Sequence, residues 1–177
     1  MHGGHDPQPQ DFEEFGLADP YFSVGAIVYR DVFDRNSIGT FVSIKPPVAD
    51  ETKGFGSGEW DFGAGVSWYR RTPRNLFFVE LAYWALGDPP DINLRNPIAL
   101  EVSYGRVLDD ARFLVEASLW GRTETVEGTD GPVAIDLTLS RALKGQHSVY
   151  LTAEAGLTES APDYSFSFGY RTRIWKR

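Results

Sequence analysis

A chain of 177 residues with a formal net charge of -8 and no cysteine is one domain by length, large enough to bury a core or close a small barrel. The missing thiol excludes disulfides, thiol catalysis and cysteine-based metal sites, and so acidic a chain is not built to hold nucleic acid. No apolar run approaches the roughly 20 residues of a membrane helix, and a mean hydropathy of -0.29 fits a soluble protein and a membrane barrel alike, because barrel strands are apolar on one face only.

The chain opens on MHGGHDPQPQDFEEF, which lacks the basic and then apolar segments of a secretory signal, so an exported protein would carry it as a mature form. Residues 1–20 read as a flexible N-terminal tail, and 21–177 as a single β-barrel domain. His2, His5 and Asp6 in this Gly-rich tail could catch a transition metal weakly, but a tag remnant or disordered tail accounts for them too, and no metal site is expected.

From Tyr21 onward, period-two segments recur at 21–30, 37–45, 59–70, 75–86, 96–107, 111–122, 132–142, 147–157 and 163–175. In each, one parity is apolar. Ile98, Leu100, Val102 and Tyr104 alternate with Ala99, Glu101, Ser103 and Gly105, and Val133, Ile135, Leu137 and Leu139 alternate with Ala134, Asp136, Thr138 and Ser140. In the last segment Phe166, Phe168, Tyr170, Thr172 and Ile174 alternate with Ser165, Ser167, Gly169, Arg171 and Arg173. Segments of about 9 to 11 residues suit a tilted strand crossing a bilayer and exceed the usual five or six of soluble sheets. The predicted fold is all-β: an antiparallel up-and-down barrel of transmembrane type with about 8–10 strands.

Compact turns around Asp31 to Asn36, Arg71 to Arg74, Asp109 to Asp110 and Lys144 to Gln146 alternate with longer loops at Pro46 to Gly58, Gly87 to Arg95, Thr123 to Gly131 and Thr158 to Pro162. One end thus has turns and the other loops, as in bacterial outer-membrane barrels with short periplasmic turns. Most of the Lys and Arg fall at the turn end, where the only acids are Asp31, Asp34, Asp109 and Asp110; Asp50, Glu51, Glu59, Asp61, Asp88 and Asp91 are among the acids of the loop end. Rim charge also solvates any sheet, so this segregation alone does not require a membrane. Trp60, Trp68, Tyr83, Tyr104, Phe113 and Tyr164 cluster at segment ends with apolar parity, as interfacial girdles do, whereas Trp84 and Trp120 have polar parity and are expected inside the barrel mouth.

The stretch IKPPVADETKGFGSGEWDFGAGVSWYRR (Ile44 to Arg71) resembles the strand, proline-bearing loop and Gly-Ser-Gly-x-x-Asp strand start of the MetA-pathway-of-phenol-degradation, transporter-like family of outer-membrane β-barrels. GLTESAPDYSFSFGYRTRIW (Gly156 to Trp175) is similar to that family's closing hairpin, and the likeness covers roughly residues 37–175. The resemblance implies an outer-membrane barrel. Family members are longer and have more strands, and a tenth strand within Pro7 to Leu17 would give this chain the even count of bacterial single-chain barrels.

Five successive strands each carry one mid-strand acid of polar parity: Glu80, Glu101, Glu116, Asp136 and Glu154. Arg171, Arg173, Arg122 and Lys45 share that parity. In a barrel this small these side chains form either a buried ion-pair network that ties the wall together or a narrow cation-favouring path. His147, Ser148 and Glu154 are the only near neighbours with the makings of a hydrolytic triad, but Ser148 is adjacent to His147 and on a strand faces the other way, so no catalytic residue is expected. Gly54 to Gly58 lacks the Lys-Ser/Thr of a phosphate loop, and Asp91 to Asn93 lacks the further ligands of a calcium loop. The expected function is a small barrel of the bacterial outer membrane, a porin-like or transporter-like passage for small solutes or a structural barrel, with lipid or detergent as its partner and no cofactor. The alternative is a soluble barrel that turns the Phe166 edge inward around a small hydrophobic ligand.

Overall fold

The computed structural model describes residues 18–49, 56–90, 92–108, 112–144 and 147–172. Each period-two segment forms a strand: β1 (Phe22–Arg30), β2 (Asn36–Lys45), β3 (Asp61–Arg71), β4 (Asn75–Ala85), β5 (Ile98–Leu108), β6 (Phe113–Arg122), β7 (Val133–Ala142), β8 (His147–Gly156) and β9 (Tyr164–Thr172). They lie side by side in chain order in one nine-stranded sheet, each antiparallel to the next. The sheet is not closed: among the described residues no ladder joins β1 to β9, and no Cα of one lies within 8 Å of the other. With nine alternating strands, β1 and β9 both run from the loop end to the turn end, so the antiparallel ladder that builds the rest of the sheet cannot join them.

Turn chemistry sets the hairpins. Asp31 holds the first: its Oδ1 accepts the Phe33 and Arg35 backbone N–H groups at 3.2 and 2.7 Å, and its Oδ2 accepts the Asn36 backbone and side-chain N–H groups at 3.1 and 2.6 Å. These donors, the Asn36 amide first, hold the Asp31 carboxyl below the usual aspartate range. Asp34 in that turn has φ 53°, the left-handed region that disfavours a Cβ. Asp34→Gly should therefore be neutral or stabilising, while Asp34→Val should cost about 1–2 kcal/mol, as read from denaturant unfolding of the two variants. At the loop end, Asn96, Thr123 and Thr158 side chains accept the Leu86, Ile98 and Val133 backbone N–H groups at 2.9, 3.0 and 3.0 Å, pinning the loops to the strand ends.

Register assigns every side chain to a face. Glu101 lies opposite Glu80 and Trp120, Ser67 opposite Glu80 and Gly39, and Asp136 opposite Glu154, so the polar parities of all the strands share one face. In β1 the pairing shifts between Ile27 and Tyr29, a bulge that returns Tyr29 to the apolar face beside Ile38. Exposure runs opposite to that of a water-soluble sheet. Phe166 is 73% exposed, Leu137 57% and Leu100 49%, whereas Ser103, Ser118 and Ser43 on the polar face are buried.

The polar face is concave. One cavity of about 430 Å³ near the turn end is lined from β3 through to β9, with Tyr69, Leu76, Leu114, Ser140, Ser148 and Arg171 among its walls. Higher up, the Trp120 indole of β6 reaches past β7 to Glu154 of β8. A Cβ on Gly63 would stand 2.7 Å from the Trp84 ring, so glycine there lets the indole lie against the backbone. Trp84 and Trp120 thus both point inward, as their parity predicts.

The turn ends climb along the sheet. Arg30, the end of β1, is level with Ser37 and Tyr69, and β3 ends two residues farther out at Arg71; Arg71 is level with Leu76 and Gly105, and β5 ends three residues beyond at Leu108; Leu108 is level with Phe113 and Arg141, and β7 ends one residue beyond at Ala142, which averages one residue per strand. One residue of climb per strand, with about 3.4 Å of rise against about 4.8 Å of strand spacing, corresponds to strands tilted by about 35°, within the range of barrels.

Candidate functional site: the acid-bearing polar face

Glu80, Glu101, Glu116, Asp136 and Glu154 all project from the middle of the concave face and are half-buried. Two pairs face each other directly across neighbouring strands: Glu80 with Glu101, and Asp136 with Glu154. Like charges placed so repel unless water, a cation or a proton intervenes. Glu116 lies opposite Gly105 and Thr138.

Hydroxyls and an indole serve these acids. Ser103 Oγ donates to Glu101 Oε1 at 2.9 Å and stands 2.9 Å from Ser118 Oγ. Trp120 Nε1 donates to Glu154 Oε2 at 3.2 Å, and Ser165 Oγ to Glu154 Oε1 at 3.4 Å. Asp136 Oδ1 is buried and has no hydrogen-bond partner among the described residues.

The expected ion-pair network takes a different form. Among the described residues no carboxylate lies within 4.0 Å of the Arg122 or Arg171 guanidinium, and Arg171 instead lies 5.8 Å from the Tyr150 ring centre. Both arginines have polar parity but sit at opposite strand ends, Arg122 at the loop end and Arg171 at the turn end, while the acids hold the middle. Arg173 lies outside the described residues. Among the described residues no Lys or Arg thus lies within 4.0 Å of any of the five mid-strand acids.

The buried ion pairing is at the loop end, around Lys45. Its ammonium contacts Asp61 Oδ2 at 3.0 Å and Asp19 Oδ2 at 3.3 Å and donates to Ser57 Oγ at 2.6 Å. Asp19 Oδ1 in turn accepts the Val48 and Ala49 backbone N–H groups at 2.9 and 2.8 Å, and Asp61 Oδ1 accepts that of Gly87 at 3.1 Å. Bonding from the Ala49 amide, then from Val48 and Lys45, holds the Asp19 carboxyl below its ordinary range against the opposing effect of burial. Tyr21 sets its ring edge-on against Trp84, with centroids 5.7 Å apart. Of the tail expected over residues 1–20, residues 18–20 are therefore held at the mouth of the sheet, where Asp19 gives Lys45 a second carboxylate partner; residues 1–17, with the tenth strand and the histidines sought there, lie outside the described residues. The sequence reading missed Asp19. Lys45 and Asp61 at polar parity on facing strand ends, one cation and one acid, were the available sign.

Elsewhere the geometry separates reactive groups. His147 Nδ1 hydrogen-bonds the Tyr170 hydroxyl at the rim of the apolar face, while Ser148 lines the concave cavity. Among the described residues no group of His, Cys, Asp and Glu is arranged to hold a metal ion. Compared with known proteins, the chain matches no family model and no curated protein.

Proposed function

We propose that the protein is a small β-barrel of the bacterial outer membrane, its edges closed in the bilayer and its acid-bearing face forming a narrow, cation-favouring path for small solutes. The observation that carries this reading is the inverted exposure. Large apolar side chains stand exposed along all nine strands while serines and carboxylates shelter on the concave face, an arrangement suited to an outer solvent of hydrocarbon. Strand lengths of 9 to 11 residues and the tilt of about 35° match bilayer-spanning strands. The likeness of Ile44 to Arg71 and of Gly156 to Trp175 to the phenol-degradation transporter-like barrels points the same way.

A soluble barrel enclosing a hydrophobic ligand needs the Phe166 edge inside, and the 74% exposure of Phe168 weighs against it. With about nine strands the interior is largely filled by side chains, so conductance is small. The band of Glu101, Glu116 and its neighbours favours cations, and Glu101→Gln with Glu116→Gln should reduce that preference. Planar-bilayer recording is the test: small cation-selective currents, weakened in the double variant, are expected. Large anion-selective currents, or a protein that stays monodisperse without detergent, would overturn the proposal.

A further inference from the structure

The nine strands carry no Asp or Glu on their apolar face, and the only charged side chains there are Arg70 on β3, Arg106 on β5 and Arg141 on β7. We infer that these three arginines form a headgroup clamp that binds the phosphates of anionic phospholipids at the turn-end border of the apolar belt. The inference rests on the membrane reading above and adds to it which lipid is held, and where.

Height is the first argument. Arg70, Arg106 and Arg141 occupy alternate strands, and each successive one is displaced by two residues along the strand. At the tilt of about 35° given by the turn ends, a step of two residues over two strands keeps the height unchanged, so the three backbone positions stand at one height about 12 Å apart. Three arginines scattered for solubility have no reason to follow the climb of the register.

Surroundings are the second. Trp68 and Tyr104 lie one outward position deeper on the same strands, Phe77 lies beside Arg70, and the Arg141 guanidinium lies 5.6 Å from the Phe113 ring centre. An aromatic layer with cations just beyond it is the sequence of chemistries found between hydrocarbon and headgroups. All three arginines are exposed, and no described carboxylate lies within 4.0 Å of their fork of donors. A guanidinium matches a phosphodiester in bidentate geometry. The opposite border differs: Phe22, Ile44, Phe62, Ile98, Val133 and Tyr164 end the apolar face there without any charge. The clamp is therefore one-sided, and it assigns the turn end to a leaflet containing anionic phospholipid.

Spin-labelled phosphatidylglycerol and phosphatidylcholine, each at trace level in phosphatidylcholine vesicles carrying the folded protein, test this through the fraction of label that the protein immobilises. We expect phosphatidylglycerol to be preferred about fivefold at the arginine positions, the preference shrinking as salt is raised. It should fall close to unity in the Arg70→Gln, Arg106→Gln, Arg141→Gln variant, and by an intermediate amount in Arg106→Gln alone should the triple variant fail to fold. Equal immobilisation of the two lipids by the unaltered protein, or a preference that survives these substitutions, would overturn the clamp while leaving the membrane reading intact. Absence of an immobilised component for either lipid would instead overturn the membrane reading. Loss of the preference in inorganic phosphate, but not in chloride of equal ionic strength, would assign the arginines to free phosphate and overturn the lipid assignment.

Discussion

Leu137→Arg should cost about 2–4 kcal/mol of bilayer-folded stability, the penalty for a cation at mid-depth on a lipid-facing strand. Leu137 is at the middle of β7 on the apolar face, flanked by Ala117 and Ala153, and neither neighbour offers a partner to a guanidinium. Thr138→Arg, one residue on, enters the concave face, where Glu116 lies directly opposite and Glu154 is on the adjoining strand. Its cost should be smaller. Urea titration of both variants folded in vesicles makes the comparison, and equal penalties would count against lipid contact at Leu137.

Lys45→Met should be the most damaging single change at the mouth, costing about 3–5 kcal/mol, because it leaves Asp19 and Asp61 buried with no counter-charge. Arg171→Ala removes a cation with no carboxylate within 4.0 Å among the described residues and should cost clearly less, so the two melting temperatures separate the buried pair from the rim. The cluster also gives an acid-limb dependence. Asp19 titrates below its ordinary value in the folded chain, so its contribution is fully present above about pH 4 and is lost as pH falls through the depressed folded value. Asp19→Asn should flatten that limb; an unchanged acid transition would show that Asp19 carries no such linkage.

Strand number, strand bounds to within about two residues save the end of β9, where 173–175 lie outside the described residues, and the face of each side chain were legible in the alternation of Leu100 with Glu101 and of Leu137 with Thr138, because period two is a local property that survives any tertiary arrangement. The bulge in β1 was written less clearly, in the unbroken apolar run Ala26, Ile27, Val28 and Tyr29, where the alternation stops for one residue. Charge pairing was the least legible. Arg122, Arg171 and the five acids share a parity, yet parity says nothing about height along the strand, and the partners that Lys45 finds are 26 residues before it and 16 after. Closure was beyond the alternation altogether, since every strand of an open or closed sheet reads alike.

The equal direction of β1 and β9 fixes what kind of addition could complete the ring. Sheets of this type commonly grow by whole hairpins, and a hairpin contributes two strands, which leaves the mismatch between the outermost pair as it was. Only an odd insertion restores alternation all the way round, and the smallest is one extended segment running from the turn end to the loop end. Joined directly, the two edges would instead meet in a single ladder with evenly spaced, slanted bonds, a lone stretch of different weave in an otherwise uniform wall.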